Sequence, residues 1–380
     1  MISTENYQRY QRQIFLKEFG AAGQQKLLSA KVLVIGAGGL GCPVLLYLAA
    51  SGVGTIGIVD FDVVDISNLH RQILYSVDDI NKSKVETAAK KIKALNPEIE
   101  IQTFNLKLNN QNALQIISDY DIVIDGSDNF STRYLVNDAC MLLNKPLVYG
   151  AVLRFEGQVG VFNLADNKSG IKTNYRDLFP HPPDAGETLS CKEAGVLGVV
   201  PGIIGTMQAI EAIKIITEIG KPLYNKIISF NILNNSYYDF EISPNEKAIA
   251  FIPKNEAEFL IYNYDWFCGV PQSSEEITVE EFEALRSEEI VSIIDVREKS
   301  ELPLVSEFDF TQIPMSEFEQ VISSFEKSGT IVVFCQTGKR SAKAVQILKN
   351  IFPGCKAYSL TGGIIAWESH QQIISLKKWN

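Results

Sequence analysis

A cysteine near the end of the chain stands where a reactive thiolate is expected. The apolar run 331–334 predicts a buried strand that stops at Cys335, and the apolar spacing beyond it predicts a helix. At such a strand-to-helix turn, the N–H groups of the loop and the helix N-terminus stabilise an anion. Lys339 and Arg340 add positive charge nearby, so the sequence predicts a thiolate at Cys335.

Two chemistries use a thiolate in a loop of this kind: hydrolysis of phosphate esters and transfer of sulfur. The spacing from Cys335 to Arg340 is C-x₄-R, whereas the phosphatase loop C-x₅-R is one residue longer and wraps a tetrahedral phosphate. A shorter loop suits a smaller group, such as one extra sulfur on the thiolate. Loop length alone therefore favours sulfur transfer without excluding hydrolysis.

A nucleotide site is predicted in the first part of the chain. "GAGGLG" follows a predicted buried strand and opens a predicted helix, so its glycines can turn tightly and approach a phosphate. These glycines are Gly36, Gly38, Gly39 and Gly41. Asp60 ends the next predicted strand, nineteen residues after Gly41, where a carboxylate can bind ribose hydroxyls. This pattern alone fits a dinucleotide equally well.

The residues after Asp60 favour a triphosphate. Arg71 and Lys84 supply positive charge, and Asn68 and Gln72 supply amide groups. Together they can neutralise the charge that develops during attack on an α-phosphate.

A metal site is predicted at the motif "DGSDN". It places Asp125 and Asp128 at the carboxyl end of a predicted strand, where open α/β sheets bind ligands. An aspartate at this edge can hold Mg²⁺.

The elements that must position these residues alternate along the chain. Strands are predicted at 31–36, 55–60, 100–105, 121–126, 146–152, 157–164 and 226–233. Helices are predicted at 42–51, 82–95 and 202–220. Alternation of this kind predicts an α/β fold with a mostly parallel sheet.

A second domain is predicted after a linker. The pattern loosens over residues 244–275, which are predicted to be the linker between a domain at 1–243 and a smaller α/β domain at 276–380. In the second domain Thr278 and Glu281 have the spacing of a capping box. Strands are predicted around 291–298 and 330–335, with a helix around 316–327 between them.

Composition excludes several classes of protein. The net charge of −10 argues against non-specific nucleic-acid binding, and the 46% apolar content allows a sizeable core. The six dispersed cysteines suit a reducing compartment, and the N-terminus has no signal-peptide pattern, so we expect a cytoplasmic protein. Residues 32–59 carry no charge, but their glycines favour a buried strand–helix–strand unit over a membrane span.

The first domain resembles the MoeB/ThiF family over roughly residues 5–240. The resemblance rests on "RYQRQ", "GAGGLG", "VDFDVVDISNLHRQ", "KSKVE", "DGSDN", "GQVGVF" and "CKEAGVLGVVPGIIGTMQAIEAIK". These bacterial relatives of ubiquitin-activating enzymes adenylate the C-terminal glycine of a ubiquitin-like sulfur-carrier protein. The resemblance implies a Rossmann-like ATP-binding adenylation domain, ATP and Mg²⁺ as cofactors, and a homodimer.

The resemblance also implies roles for single residues. Asp60 would bind the ribose, and Asn68, Arg71 and Lys84 the phosphates. Asp128 would serve the metal and the reacting α-phosphate. Arg12 would reach the phosphates in the site of the partner subunit. The carboxylate of the carrier is the nucleophile, so catalysis consists of positioning and charge stabilisation.

The chain departs from the family at a zinc site. Many members hold zinc with two C-x-x-C pairs, but Asn174 and Asp177 stand where the first pair belongs, and no cysteine follows at 241–255. We therefore predict that structural zinc is absent.

The cysteines outside the predicted thiolate loop differ in their expected roles. Cys191, in "LSCKEAG", matches the family cysteine that can link covalently to the carrier, and we expect it to be reactive. The others are expected to be structural, namely Cys42, Cys140, Cys268 and Cys355.

The second domain resembles a single-domain rhodanese over about residues 276–375. The resemblance rests on "IIDVRE", "CQTGKRS" and "LTGGIIAW", although the usual "GHIPGA" segment is degraded to "FTQIPMS". It implies a persulfide on Cys335, with Asp295 and Arg297 supporting the loop and Arg340 helping to fix it.

The two domains together imply one reaction sequence. The persulfide on Cys335 would attack the adenylated glycine, by way of an acyl disulfide that involves Cys191, to give a thiocarboxylate for molybdopterin, thiamine or tRNA thiolation. Expected partners are a carrier ending in Gly-Gly and a cysteine desulfurase as sulfur donor. Two alternatives stay open: an adenylating enzyme with a regulatory rhodanese-like module, and an NAD-dependent oxidoreductase.

Overall fold

The computed structural model describes most of the chain, which divides into two compact units. The described residues are 3–166, 169–182, 195–249, 251–262, 264, 275–288, 291–299, 301, 305–323 and 329–377. One unit is built from the described residues up to Tyr262, and the other from those at and after Tyr264.

The first unit contains an eight-stranded sheet. Its strands are β1 Lys31–Ile35, β2 Thr55–Val59, β3 Glu100–Phe104, β4 Ile122–Asp125, β5 Leu147–Leu153, β6 Glu156–Phe162, β7 Lys226–Asn231 and β8 Ser236–Glu241. They lie in the order β3-β2-β1-β4-β5-β6-β7-β8. The first five pair in parallel and the last three are antiparallel, so the predicted mostly parallel α/β sheet is confirmed.

Helices cover this sheet. They are α1 Thr4–Ile14, α2 Gly20–Ser29, α3 Gly41–Ser51, α4 Lys84–Leu95, α5 Ala113–Ser118, α6 Phe130–Leu142, α7 Tyr175–Leu178, α8 Val199–Thr217, α9 Glu246–Ile249 and α10 Glu256–Ile261. Several begin at a side-chain cap: Ser3, Ser83, Asn129 and Asn255 each accept a backbone N–H of the first turn. The helices at 4–14, 20–29 and 130–142 were not predicted from the sequence.

The uncharged segment 32–59 forms β1, α3 and β2, as predicted. Both strands are buried after their first residue, and α3 is buried along most of its length. The carboxyl ends of β2, β1 and β4 are aligned, since Ile35 pairs with Val59 on one side and Asp125 on the other. The loops after these strands therefore meet at one edge of the sheet, where the chain order reverses.

Helix α8 is the longest of the described helices in this unit. By length and composition it is the one described helix that could cross a membrane. In the structure it packs against α3, β5 and β6. Its packing is that of a core helix.

The segment predicted as a linker is partly helical. Helix α9 packs against α7, and α10 packs against α6. The Nδ2 atom of Asn110 also donates to the carbonyl of Tyr262 at 3.2 Å. The described residues at 244–249 and 251–262 are therefore part of the first unit.

The second unit has a five-stranded parallel sheet. Its strands are β9 Glu276–Ile277, β10 Val291–Asp295, β11 Thr311–Gln312, β12 Thr330–Phe334 and β13 Ala357–Leu360, in the order β11-β10-β12-β13-β9. Its helices are α11 Val279–Glu288, α12 Phe318–Ile322, α13 Lys339–Ile351 and α14 Gly363–Lys377. The central strand β12 is buried throughout, with an apolar cluster on each face of the sheet.

The capping box predicted at the start of α11 is confirmed. Thr278 N donates to Glu281 Oε2 at 2.8 Å, and Glu281 N donates to Thr278 Oγ1 at 3.2 Å. Of the helix expected at 316–327, the structure has Phe318–Ile322, and residues 324–328 lie outside the described residues.

Candidate active sites

In the glycine loop after β1, backbone segments approach each other closely. Gly36 has φ 88°, and a Cβ at this position would stand 2.8 Å from the carbonyl oxygen of Gly126. A Cβ on Gly41 would stand 1.9 Å from the carbonyl oxygen of Gly36. Residues with side chains cannot fit at either position, so the tight turn into α3 depends on glycine.

The same loop leaves backbone donors available. In the described part of the chain, no hydrogen bond is found from the N–H groups of Gly38 and Gly39. They precede the N-terminus of α3, where the partial positive charge of the helix lies. This arrangement suits a phosphate.

Asp60 ties the glycine loop to β2. Its Oδ2 accepts the N–H of Ala37 at 2.8 Å, and its Oδ1 accepts the N–H of Asp62 at 2.9 Å. Burial raises the pKa of this carboxyl, and the Lys84 ammonium opposes that shift. Each carboxylate oxygen keeps a second lone pair, so both can still accept hydrogen bonds from a ligand.

Two predicted phosphate-binding side chains lie beside the glycine loop. Arg71 Cγ is 3.6 Å from the point where a Cβ on Gly39 would stand, and Gln72 Nε2 is 3.6 Å from the same point on Gly38. Gln72 is buried, and its Oε1 has no hydrogen-bond partner among the described residues. Arg71 Nη1 contacts the carbonyl of Ser67 at 3.0 Å and His70 Nε2 at 2.8 Å, which orients the guanidinium.

The other predicted phosphate ligands differ in their surroundings. Lys84 is buried, and its Nζ lies 2.8 Å from Asp62 Oδ2. Asn68 ends a short helical turn at 66–68, where its Oδ1 accepts the N–H of Asp65 at 3.3 Å. The positive charge of Lys84 is thus already paired, while Asn68 is engaged with its own turn.

Tyr75 was not predicted from the sequence. Its hydroxyl lies 2.8 Å from the carbonyl of Ala37 and 3.3 Å from the carbonyl of Lys84. Burial raises the pKa of this hydroxyl, so it remains a neutral donor. It connects the glycine loop to the start of α4, a contact across many residues of sequence that no local pattern could indicate.

The two aspartates of "DGSDN" have opposite surroundings. Asp125 is buried at the end of β4, where its Oδ1 accepts the N–H of Ser127 at 2.9 Å. Burial raises the pKa of the Asp125 carboxyl, against the nearby Arg133 guanidinium. Asp128 is exposed, and no hydrogen bond or ion pair to its side chain is found in the described part of the chain. Of the two, Asp128 is the carboxylate available to a ligand.

Arg12 lies at the opposite end of α3 from the glycine loop. Its neighbour Gln13 donates to the carbonyl of Ser51 at 2.9 Å, and Arg9 donates to the carbonyl of Leu95 at 3.1 Å. Both carbonyls are at helix C-termini, whereas the glycine loop is at the N-terminus of α3. The 11 residues of α3 separate these ends by about 16 Å. Arg12 is therefore remote from the glycine loop of its own chain.

Hydrogen-bonded residues stand where the family's first pair of zinc ligands belongs. Asn174 and Asp177 form a capping box at the start of α7, and Asp177 Oδ1 accepts the N–H of Asn245 at 2.8 Å. Arg176 and Asp138 are both 0% exposed and form an ion pair at 2.7 Å. Arg176 Nη2 also donates to the hydroxyl of Tyr262 at 3.4 Å. In the described residues, no group of three or more candidate metal ligands is found.

The cysteines outside the second unit's loop are buried, partly buried or outside the described residues. Burial raises the pKa of the Cys42 thiol to about 12 and also raises the pKa of Cys140. These two are core residues, as predicted. Cys355 is partly buried, while Cys191 and Cys268 lie outside the described residues.

Cys335 follows β12 and leads into the loop before α13. Its side chain is only 1% exposed, and its Sγ accepts the N–H of Gly338 at 3.2 Å. The carbonyl of Cys335 accepts the N–H of Ile364 at 2.8 Å at the start of α14. The predicted environment, a sulfur facing a loop N–H and a helix N-terminus, is confirmed.

The charged residues around this loop pair with each other. Arg297 Nη2 lies 2.7 Å from Asp295 Oδ2, and its guanidinium lies over the ring of Phe334. Arg340 pairs through both terminal nitrogens with the carboxylate of Glu301, which holds the pKa of Glu301 below its usual range. Arg340 was expected to fix the loop and favour the thiolate, but Glu301 offsets part of its charge. Glu301 was not identified from the sequence.

Two family descriptions match the sequence. "ThiF family" matches residues 10–250, and "Rhodanese-like domain" matches residues 278–370.

Named relatives match over most of the chain. The chain is 41% identical over 381 residues to a "Probable adenylyltransferase/sulfurtransferase MoeZ" of Mycobacterium tuberculosis, covering 98% of this chain and 95% of the relative. It is 36% identical to an "Adenylyltransferase and sulfurtransferase MOCS3" of Xenopus laevis, over 94% of this chain and 85% of the relative. A "Sulfur carrier protein adenylyltransferase" of Thermus thermophilus is 44% identical, over 70% of this chain and 98% of the relative.

A solved structure shares the fold of the first unit. The structure described as "Crystal structure of E. coli MccB + ATP" superimposes with a TM-score of 0.54 at 27% identity. The match covers 64% of this chain and 73% of the other chain.

Proposed function

The chain belongs to the ThiF family and carries a C-terminal rhodanese-like domain, and from this premise we propose a reaction sequence for its two units. It is an enzyme of the adenylyltransferase/sulfurtransferase type, as its relatives are named. Adenylation implies ATP, and the rhodanese-like domain implies a cysteine persulfide. The predicted family resemblance is thus confirmed.

The first step is adenylation of the C-terminal glycine of a ubiquitin-like sulfur carrier ending in Gly-Gly. The glycine loop binds the phosphates through Gly38 and Gly39, and Asp60 binds the ribose hydroxyls. Arg71 and Lys84 lie near this loop and stabilise charge as the carrier carboxylate attacks the α-phosphorus and pyrophosphate leaves. The unpaired backbone N–H groups and the ATP bound by MccB support this assignment.

Other polar residues complete the site. Asn68 and Gln72 contribute amide groups to the phosphates. Asp128 holds Mg²⁺, which supplies neutralisation of phosphate charge when bound. Its exposed carboxylate, without a partner in the described part of the chain, fits this role.

The active assembly is a homodimer in which Arg12 acts on the partner's site. The position of the neighbouring Gln13 at the far end of α3 supports this proposal, because that helix is about 16 Å long, which exceeds the reach of an arginine side chain. A second copy can bring α1 to the open edge of the sheet.

The second step is sulfur transfer from a persulfide on Cys335. Its outer sulfur attacks the carbonyl carbon of the acyl adenylate, the C–O bond breaks, and AMP leaves. The product is an acyl disulfide between the carrier and Cys335. The thiolate of Cys191 then attacks the Cys335 sulfur, and the S–S electron pair leaves with the carrier as a thiocarboxylate. A cellular thiol reduces the remaining disulfide.

The surrounding pathway follows from this chemistry. A cysteine desulfurase reloads Cys335 in the cytoplasm, where free thiols persist. The thiocarboxylate serves as the sulfur donor for molybdopterin, thiamine or tRNA thiolation. We expect no structural zinc, and the hydrogen bonds of Asn174 and Asp177, at the position of the family's first ligand pair, support this expectation.

The observation that carries the proposal is the Gly338 N–H bound to Cys335 Sγ at 3.2 Å, in a chain of the ThiF family. The test is Cys335→Ser. This variant is expected to keep ATP–pyrophosphate exchange and to lose thiocarboxylate formation, measured by mass spectrometry of the carrier. Normal thiocarboxylate formation by the variant with a persulfide donor would refute the role of Cys335.

The same assays separate the alternatives. A carrier or peptide that gains an amide or a thioester bond to another molecule, and no terminal thiocarboxylate, would indicate an adenylating enzyme with a regulatory rhodanese-like module. Absence of exchange would refute the proposed adenylation step.

A further inference from the structure

Two buried serines lie next to the sulfur of Cys335. Ser341 is in the first turn of α13, Ser359 is in β13, and both are 0% exposed. Ser341 Oγ is 3.6 Å from Cys335 Sγ and 2.9 Å from Ser359 Oγ. Both hydroxyls also lie near the carbonyl of Gly338, at 3.0 Å for Ser341 and 3.3 Å for Ser359.

The hydroxyl pair has fewer hydrogens than acceptors. Each serine has one O–H. The acceptors are the sulfur, the Gly338 carbonyl and the oxygen of the other serine. The two hydrogens therefore cannot serve every contact at once, so the pair has more than one arrangement. The charge on the sulfur decides which arrangement is favoured.

We propose that Ser341 stabilises Cys335 as a thiolate and that Ser359 is a positioning residue which acts through Ser341. The inference rests on the proposed sulfur transfer. When Sγ is a thiolate, Ser341 donates to it, and Ser359 donates to Ser341 Oγ. When Sγ carries an outer sulfur, the negative charge moves to that atom, and Ser341 turns to the carbonyl of Gly338.

Ser341 changes its hydrogen-bond acceptor each time the charge on Cys335 Sγ changes. During loading, the Cys335 thiolate attacks the outer sulfur of a donor persulfide, and the donor thiolate leaves. During discharge onto an added thiol or cyanide, a reaction distinct from the proposed transfer to the carrier, the acceptor attacks the outer sulfur, the S–S bond breaks, and the electron pair remains on Sγ. Because the Ser341 hydroxyl donates to Sγ as negative charge develops there, it lowers the barrier to discharge.

The first test is the pH dependence of Cys335 alkylation by iodoacetamide. In Ser341→Ala the midpoint of the rate profile is expected to move up by about one pH unit, because a hydrogen bond to the thiolate is lost. At high pH the variant should react at least as fast as the wild-type protein, since a less stabilised thiolate is more nucleophilic. Structural damage alone would not raise this plateau.

The second test is single-turnover discharge of the loaded persulfide to cyanide. Ser341→Ala is expected to slow discharge about tenfold or more. Ser359→Ala should slow it less, and the double variant should be no slower than Ser341→Ala. Ser287→Ala is a matched control, since Ser287 is exposed and donates to the carbonyl of Ala284.

The outcomes separate this inference from the proposed function. An unchanged alkylation profile in Ser341→Ala overturns the inference, even if the wild-type protein makes thiocarboxylate. Additive effects of the two serine variants overturn the positioning role of Ser359. If the wild-type protein transfers no sulfur but the profile moves, the hydroxyl pair stands and the proposed function fails. If Ser341→Ala does not fold, the alkylation test is made with Ser359→Ala instead.

Discussion

The carboxylate of Asp60 and the N–H of Ala37 are joined by a hydrogen bond of 2.8 Å, which fixes the glycine loop to the end of β2. We propose the same carboxylate as the ligand of the ribose. In that role it would couple the shape of the loop to the recognition of the sugar.

Asp60→Ala is expected to weaken ATP binding about tenfold or more, because the ribose and the Ala37 N–H both lose an acceptor. The measurement is the KM for ATP in pyrophosphate exchange. Asp119→Asn is the control, since Asp119 is exposed on α5's C-terminal side. Equal KM values for Asp60→Ala and the wild-type protein would contradict the assignment.

Mixing two inactive variants should restore activity if Arg12 acts across the dimer. Arg12→Ala and Asp128→Ala are each expected to lose exchange activity. A refolded equimolar mixture should recover about a quarter of wild-type activity, because half of the dimers are mixed and each contains one intact site. No recovery, with mixed dimers present on native mass spectrometry, would place Arg12 in its own chain's site or outside both.

Breaking the buried pair of Arg176 and Asp138 should destabilise the first unit. Asp138→Asn leaves a buried guanidinium without its counter-ion, at a cost of about 3–5 kcal/mol. The measurement is urea unfolding, with the paired change Arg176→Met/Asp138→Leu as control, which should recover much of the loss. Equal stability of Asp138→Asn and the wild-type protein would argue against the pair as a support of this region.

Removal of metal should leave the first unit folded. Treatment with a strong chelator is expected to leave the melting temperature unchanged, because Asp177 and Asn245 connect α7 to residues 244–262 without a metal. Elemental analysis of the purified protein should give zinc far below one atom per chain. A stoichiometric zinc content that is lost together with stability would show that another set of ligands exists.

The pair of Glu301 and Arg340 should make the second unit sensitive to acid. The arginine lowers the pKa of Glu301 in the folded state, so the pair stabilises above the unfolded-state value of about 4.3. This contribution is lost as pH falls through the lower folded value. Glu301→Gln should therefore be less stable than the wild-type protein above pH of about 5, and the difference should shrink in more acidic solution. A difference that does not depend on pH would exclude the charge as its cause.

Local patterns in the sequence predicted the site residues whose positions follow from the order of strand, turn and helix along the chain. Gly36, Gly41 and Asp60 were identified because a strand, a turn and a helix place them at a known edge. Tyr75 and Glu301 were missed, since their partners Ala37 and Arg340 are 38 and 39 residues away in sequence. Arg340 shows the same limit: the sequence revealed its charge but not the carboxylate that pairs with it.

The recessed position of Cys335 orders the events of a catalytic cycle. At 1% exposure the bare sulfur is shielded from an acyl phosphate on a bulky carrier. An added sulfur atom extends the reactive end by about 2 Å. We therefore expect the outer sulfur of the persulfide to reach an adenylate that the buried thiol does not reach. This arrangement would prevent the unloaded Cys335 thiol from reacting with the activated carrier to form an unproductive thioester.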